Sequence, residues 1–298
     1  MNLNRERQLA KLAVAFAGIA WGLYWVPLRA LQAAGLPPFD AFVAFQLVPL
    51  AFALPALLLR GKAIWERRYV LLLLGAALSI PMAIYSTALL HTDILRAMVL
   101  FYLMPVWSTL LERLVLGVHI SRVRALSIGL AAAAMAVMFG GQTGLPWPQN
   151  TGDWLALAAG ATWSGATVLM HRFPAQRATD LSAVYFLVAA AVTLVLTRIM
   201  PLQAPIGVTA AQLWWLVPTT LVIVVSSVVT SMWGVPRISP GLSGLLFMTE
   251  IAAGAVSASL WAGEPFGPHQ LAGVILIALA GALESIVALV FRQQLPTH

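Results

Sequence analysis

The sequence lacks cysteine altogether and contains little charge. No Cys occurs among its 298 residues, which excludes disulfides, thiolate catalysis and cysteine-based metal sites. Charged residues make up only 9% of the chain, whereas a soluble domain has roughly a quarter of its residues charged. Most of the surface must therefore face an apolar medium, so the composition argues against a soluble globular domain.

The stretches without charged residues are long apolar runs. Hydrophobic residues make up 61% of the chain and the mean hydropathy is +0.90. Because a spanning helix needs ~20 mostly apolar residues, the sequence predicts an all-α integral membrane protein with ten transmembrane helices. These segments are predicted at about 10–33, 38–59, 69–90, 93–116, 121–141, 152–172, 180–200, 212–235, 238–262 and 268–291.

Several of these segments contain proline. In a membrane, proline kinks a helix, and neighbouring groups can re-satisfy the carbonyl oxygens that it frees. Kinked helices leave cavities when they pack together, which is typical of a transporter. The prolines concerned are Pro27, Pro49, Pro55, Pro81, Pro105 and Pro218.

Acidic residues are scarce too, and most of the basic residues lie between the apolar segments. The chain has 17 Lys and Arg against 10 Asp and Glu. Because these cations form no single soluble face, we do not expect nucleic acid as a partner. Most of them fall in alternate connections, on the side of the N-terminus, while the stretch 142–151 carries no charge. The positive-inside rule therefore predicts that both termini are cytoplasmic.

The two halves of the chain correspond weakly. Residues 10–141 and 152–291 are predicted to form two five-helix repeats, joined by an external linker at 142–151. An odd number of helices forces the second repeat to insert upside down, and the charge distribution agrees with that inversion. Inverted repeats favour transport by alternating access. The alternative is a gene duplication in a membrane protein of another kind.

Three matches carry this correspondence. Gly18, Trp21 and Gly22 in the first segment align with Gly160, Trp163 and Ser164 in the sixth. Pro105 in the fourth segment aligns with Glu250 in the ninth, and Gly129 aligns with Gly273. The small residues in the first and sixth segments are spaced to let helices approach closely.

With this repeat, the sequence resembles the drug/metabolite transporter superfamily, in particular its EamA-type ten-helix members. The resemblance covers almost the whole chain and includes Trp21-Gly22 and the Trp-Ala-Gly-Glu at 261–264. Within the family, the chain resembles the aromatic-amino-acid exporters of the YddG type. The resemblance implies a multi-pass exporter of amino acids and related metabolites in the bacterial inner membrane, with a central cavity lined by both halves.

Two positions depart from the family pattern. His119 is the repeat counterpart of Glu264, and it replaces the glutamate that the family carries at that position. The first segment also lacks the acidic residue of proton-coupled small multidrug members, so their coupling mechanism cannot be transferred. The sequence leaves open the driving ion, the exact substrate and the oligomeric state.

Aromatic side chains inside the segments suggest where a substrate binds. Tyr102 and Phe247 are repeat partners, three residues before Pro105 and Glu250 respectively. Glu250 is an ionisable group inside the membrane, which is a functional candidate by default. The alternative interpretations are packing for the aromatic rings and a structural cap for Glu250. The predicted substrate-binding residues are Tyr85, Tyr102, Trp163, Trp21, Phe247 and Glu250.

Other ionisable residues are interpreted as structural. Glu112, beside Arg113, is expected to be an interfacial ion pair or a snorkelling group, and Glu284 to snorkel toward the cytoplasm. The group formed by His91, Asp93 and Arg96 is either an external gate or, as we prefer, a solvated turn capped by Asp93.

The leading hypothesis is a secondary transporter that exports aromatic or apolar amino acids, with a small-molecule substrate and the lipid bilayer as partners and no cofactor. A multidrug or other small-metabolite exporter is the alternative. A nucleotide-sugar or organophosphate exchanger is disfavoured because no Lys lies in a helix core and phosphate usually needs cationic partners. A membrane-embedded enzyme is disfavoured because the five histidines are scattered and no HExxH or phosphate-loop motif occurs.

Overall fold

A computed structural model describes residues 3–88, 91–92, 97, 100–143, 148–199, 210–262 and 267–292. These residues are almost entirely helical, which confirms the all-α class. In the first half the helices are α1 (Leu3–Gly22), α2 (Trp25–Ala33), α3 (Pro38–Glu66), α4 (Arg68–Ala88), α5 (Met104–Leu116) and α6 (Arg122–Thr143). In the second half they are α7 (Thr151–Arg172), α8 (Ala178–Ile199), α9 (Ala210–Thr220), α10 (Ser226–Gly234), α11 (Pro240–Phe247), α12 (Thr249–Ala262) and α13 (Pro268–Arg292).

Long apolar stretches and an apolar surface place this chain in a membrane. In the described part of the chain, six helical stretches are long and apolar enough to cross a bilayer. Large apolar side chains also cover the outside: Leu58, Leu59 and Trp214 are 82%, 85% and 79% exposed. Lipid can solvate such a surface, and helices satisfy their own backbone groups there. The count of ten segments, the orientation and the repeat boundaries remain predictions.

The predicted segment 10–33 is broken in the structure. α1 ends at Gly22 and α2 begins at Trp25, with Leu23 and Tyr24 in a turn. Pro27 has no N–H to donate to the carbonyl oxygen of Leu23, and the N–H of Val26 takes that acceptor at 3.1 Å instead. Pro27 therefore accompanies an interruption rather than a kink within a continuous helix.

The second segment is longer than predicted. α3 continues to Glu66, seven residues past the expected end, and only Arg67 separates it from α4. Arg60 and Lys62 are thus helical residues, not loop residues. The long side chains of basic residues can reach the membrane surface from within a helix.

The two halves are interleaved. α1 packs against α10 and α12, while α7 packs against α4 and α5. α3 and α4 pack against α8, and α6 packs against α13. Each of these contacts joins one half to the other, and α1 and α7 occupy equivalent places. The core of the molecule is therefore the boundary between the two repeats.

Candidate functional site

Two helix breaks lie at equivalent positions of the repeats. α5 begins at Met104 after a turn at Tyr102 and Leu103, and α12 begins at Thr249 after Met248. The predicted pairing of Pro105 with Glu250 also pairs Met104 with Thr249, so both helices restart at the same repeat position.

The hydrogen bonds at the two breaks correspond as well. In the first, the N–H of Leu103 donates to Leu100 at 3.4 Å and that of Val106 donates to Leu103 at 3.0 Å. In the second, Met248 donates to Leu245 at 3.2 Å and Ile251 donates to Met248 at 3.0 Å. These are the tighter three-residue turns that mark interrupted helices. In transporters built from inverted repeats, such discontinuous helices commonly form the binding site.

Glycines allow the first helix of each half to approach the break in the other half. A Cβ added at Gly160 would meet the backbone of Phe101, with its Cα at 3.2 Å. A Cβ at Gly18 would meet Thr249 Oγ1 and the carbonyl oxygens of Phe247 and Leu246, at 3.0 and 3.2 Å. The small residues that align in the sequence therefore make two equivalent close contacts, one at each break.

Two side-chain hydrogen bonds join the same elements. Ser164, in α7, donates from its hydroxyl to the carbonyl oxygen of Met104 at 3.0 Å. Thr249, at the start of α12, donates from its hydroxyl to the carbonyl oxygen of Ala15 in α1 at 3.0 Å. Each bond crosses from one half to the other and has one of its two residues at a break.

Aromatic rings gather around these breaks. The rings of Tyr85 and Phe101 have centroids 4.5 Å apart, and Phe101 meets Tyr102 edge-on at 5.5 Å. On the side of the second break, Trp163 meets Phe247 edge-on at 5.9 Å. These separations suit attractive aromatic pairs. Together with Glu250 we call these residues the central cluster, made up of Tyr85, Phe101, Tyr102, Trp163, Phe247 and Glu250.

The side chains of the central cluster differ in exposure. Tyr102, Trp163 and Phe247 are buried, at 2%, 7% and 3% exposed. Tyr85 and Glu250 are half-buried, so they are the predicted site residues within this cluster whose side chains keep some exposed surface. Phe101 was not among the predicted residues, although it neighbours Tyr102 in the sequence.

Trp21 lies outside the central cluster. Its ring is 5.4 Å from the ring of Tyr24, at the turn between α1 and α2. The next residue, Gly22, packs against the carbonyl oxygen of Glu250, with Ala253 Cβ 2.7 Å from where a Cβ on Gly22 would stand. Trp21 is therefore close to the second break in the fold, but its recorded ring contact is with Tyr24.

Glu250 is placed among hydroxyl groups. Its carboxyl group lies near the hydroxyls of Tyr85 and Tyr102. The hydroxyl of Tyr102 is buried and has no hydrogen-bond partner in the described structure. Among the residues that the structure describes, no Lys, Arg or His forms an ion pair with Glu250.

A second polar group, which we call the clamp, consists of Glu112, Arg124, Ser239 and Gly241. Arg124 Nη1 lies 3.3 Å from Glu112 Oε2, and both side chains are nearly buried. Glu112 Oε2 also accepts from the backbone N–H of Gly241 at 3.0 Å, and Arg124 Nη2 donates to Ser239 Oγ at 2.8 Å. The clamp thereby fastens the start of α11 to α5 and α6.

The clamp refines the sequence interpretation of Glu112. Glu112 is an ion pair, as expected, but its partner is Arg124 rather than its exposed neighbour Arg113. A cavity of about 40 Å³ lies beside the pair. Its lining consists of Thr109, Glu112, Val118, His119, Ile120, Ser121 and Arg124.

Two further ion pairs, neither suggested by the sequence, join the halves. Arg60 of α3 binds Asp180 of α8 through two contacts, one of them between Nη2 and Oδ2 at 2.9 Å. Arg237 Nε lies 2.9 Å from Glu6 Oε1. The sequence feature that could have pointed to the first pair is Asp180, an isolated acid at the start of an apolar segment.

Three of the remaining ionisable candidates fall outside the described residues: Asp93, Arg96 and the side chain of Glu284. His91 Nδ1 lies 2.9 Å from the carbonyl oxygen of Thr87, one turn back in its own helix. The external gate and the solvated turn capped by Asp93 both stay predictions.

Comparison with known proteins identifies a family for both halves. The EamA-like transporter family matches residues 8–140 and again residues 150–285. No curated protein matches the chain. One crystal structure of another protein superimposes with a TM-score of 0.75 at 18% sequence identity, covering 94% of this chain and 97% of that one. At that identity, the likeness shows a shared fold.

Proposed function

Because the chain belongs to the EamA-like transporter family, we propose that this multi-pass membrane transporter exports amino acids with aromatic or apolar side chains by alternating access. The proposed location is the bacterial inner membrane, with both termini in the cytoplasm. The proposed substrate path includes Tyr85, Tyr102, Trp163, Trp21, Phe247 and Glu250.

One observation carries the proposal: aromatic rings from both halves converge on two repeat-related helix breaks. Tyr85 and Tyr102 come from the first half, and Trp163 and Phe247 come from the second. Aromatic contacts with a ring-bearing substrate are worth ~0.5–1.5 kcal/mol each beyond the area that they bury. A path built from such rings favours aromatic substrates over phosphorylated ones.

The breaks also offer a way to move. At the second break, α11 and α12 meet at a single turn residue, Met248, so one helix can tilt while the other stays packed. Inverted repeats that rock about a central site expose it alternately to the two sides. In this mechanism Tyr85 and Glu250 meet the substrate first, because their side chains are partly exposed here.

Flux measurements test the proposed substrate and path together. Purified protein in liposomes should carry labelled phenylalanine and tryptophan. Trp163→Ala and Tyr102→Ala should each lower that flux roughly several-fold, since about 1.4 kcal/mol is a factor of ten. Trp214→Ala, at a 79% exposed tryptophan on the lipid-facing surface, is the matched control and should transport like the parent.

If Trp163→Ala and Tyr102→Ala both transport at the parent rate, these side chains only pack the core. Flux of cationic drugs without any amino-acid flux would instead assign the protein to multidrug export.

The orientation has its own experiment. The chain contains no cysteine, so a single introduced cysteine reports its own position. Gln149→Cys should react with an impermeant maleimide added outside intact cells, whereas Glu66→Cys should react only after the cells are opened. Both positions are exposed in the structure. Labelling of Glu66→Cys from outside would reverse the proposed orientation.

A further inference from the structure

Glu250 differs from the acids of the three ion pairs described above. Glu6, Glu112 and Asp180 each have an arginine partner. Glu250 has no cationic partner among the described residues, although it lies within an apolar segment. A carboxylate left unpaired inside a membrane protein is costly, and such residues commonly mark substrate or ion pathways.

We propose that Glu250, with the hydroxyls of Tyr85 and Tyr102, binds the protonated amino group of the transported molecule. This inference rests on the proposed function, because it assigns a role to one part of the proposed path. The amine is then the group that the site requires, and the aromatic part of the substrate lies against the rings of the central cluster.

The donor and acceptor inventory fits an ammonium group. An –NH₃⁺ group has three N–H donors, and the carboxylate of Glu250 and two phenol oxygens supply acceptors for them. The hydroxyl of Tyr102 is buried and has no hydrogen-bond partner in the described structure, so it is available to such a ligand.

The neighbouring rings add to this preference. Tyr85, Phe101 and Tyr102 follow one another at centroid distances of 4.5 and 5.5 Å beside Glu250. A cation near aromatic faces is stabilised by the ring quadrupoles, and more so where water is excluded. A metal ion fits less well, since calcium takes six to eight oxygen ligands and magnesium demands an octahedral set.

Charge explains why the amine, rather than the carboxylate of an amino acid, is the group recognised. A cationic amine neutralises Glu250 when it binds, so the buried carboxylate gains an opposite charge beside it. An anion would instead stand beside a like charge. A ligand with the ring and the amine should therefore bind, whereas one with the ring and a carboxylate should not.

Two small molecules separate these features. Phenethylamine keeps the ring and the amine of phenylalanine, and 3-phenylpropionate keeps the ring and the carboxylate. We expect phenethylamine, but not 3-phenylpropionate, to compete with labelled phenylalanine in liposomes holding the full chain. The same difference should appear as thermal stabilisation of the purified protein by phenethylamine alone.

Substitutions test which residues bind the amine. Glu250→Gln keeps the size of the side chain without its charge and should weaken binding of phenethylamine at least tenfold. Glu250→Asp should recover part of that loss. Tyr102→Phe, which removes only the hydroxyl, should weaken binding several-fold. Glu66→Gln, at an exposed acid away from the central cluster, is the matched control and should bind like the parent.

Binding of phenethylamine to Glu250→Gln at parent strength would overturn the inference, as would equal competition by 3-phenylpropionate. Transport of phenethylamine without transport of phenylalanine would support the amine subsite while overturning the proposed amino-acid function. Phenylalanine flux that is unchanged in Glu250→Gln would leave the proposed function standing and refute the amine subsite.

Discussion

The two ends of the molecule hold the halves together by different chemistry. At the end that carries most of the basic residues, which we call the basic end, Arg60 pairs with Asp180 and Arg237 pairs with Glu6. The clamp lies at this end too. At the opposite end, two hydrogen bonds join the halves. Trp25 Nε1 donates to Ser257 Oγ at 3.0 Å, and Thr92 Oγ1 donates to Asp153 Oδ1 at 2.6 Å.

This difference shows that a repeated backbone need not carry repeated chemistry. The breaks at Leu103 and Met248 have matching hydrogen bonds, yet the repeat counterpart of Glu112 is Ser257, a neutral residue. Separating a buried ion pair leaves charges without partners, whereas separating Trp25 from Ser257 leaves two neutral groups. The clamp and the contact between Trp25 and Ser257 should therefore open at different free-energy cost.

Breaking the clamp should lower the stability of the protein more than substitutions at Gly18, Gly160 or Ser257. Arg124→Ala would leave Glu112 buried without its cation and should lower the free energy of unfolding by about 3–5 kcal/mol, the usual cost of removing one partner of a buried pair. Thermal unfolding of the purified protein in detergent measures the change.

Arg113→Ala is the matched control, since Arg113 is exposed in the same region, and its unfolding should shift little. The double variant Glu112→Gln with Arg124→Met should recover much of the lost stability. If Arg124→Ala unfolds like the parent, the clamp does not fasten α11.

Filling the two close contacts should have an intermediate effect. Gly160→Ala would press a methyl group into the backbone of Phe101, and overpacking of this kind typically costs ~1–3 kcal/mol. Gly18→Ala should cost less, because its nearest obstacle is the side-chain hydroxyl of Thr249. Unfolding temperature and phenylalanine flux measure both variants.

Gly165→Ala is the control, because nothing lies within 4 Å of its Cβ position. Equal and negligible effects at Gly18 and Gly160 would show that the helices can separate slightly without loss. A larger effect at Gly18 would reverse the expected order.

Removing the hydrogen bond at the opposite end should have the smallest effect. Ser257→Ala deletes the acceptor of Trp25 and should lower stability by about 0.5–1.5 kcal/mol, the net value of an ordinary hydrogen bond. Comparison with Arg124→Ala in the same unfolding measurement sharpens the contrast between the ends. A loss as large as that of the clamp variant would remove the proposed difference.

The segments and the repeat could be predicted from the sequence because both depend on local composition. Apolar length sets the helices, and the alignment of Pro105 with Glu250 gives the same restart position for α5 and α12. The predicted end of the second segment is wrong because the basic side chains that follow residue 59 resemble a loop signal. In a membrane protein these side chains can extend from a helix to the surface.

The contacts of the candidate site depend on tertiary packing and could not be predicted in the same way. Nothing near Glu112 in the sequence distinguishes Arg124 from Arg113, and the choice follows only from where α6 turns back. Arg60 and Asp180 stand in different halves. Phe101 joins the central cluster because its ring meets that of Tyr85 in α4, a contact that a list of aromatic residues does not reveal.

The interleaving of the halves has a consequence for biogenesis. Synthesis delivers the first half to the bilayer before the second, yet the main packing partners of α1, α3, α4, α5 and α6 lie in the second half. The newly inserted helices must therefore stand in lipid with their close-packing surfaces, such as the one at Gly18, still uncovered. Assembly is completed only when the helices that follow Thr151 enter between those already present.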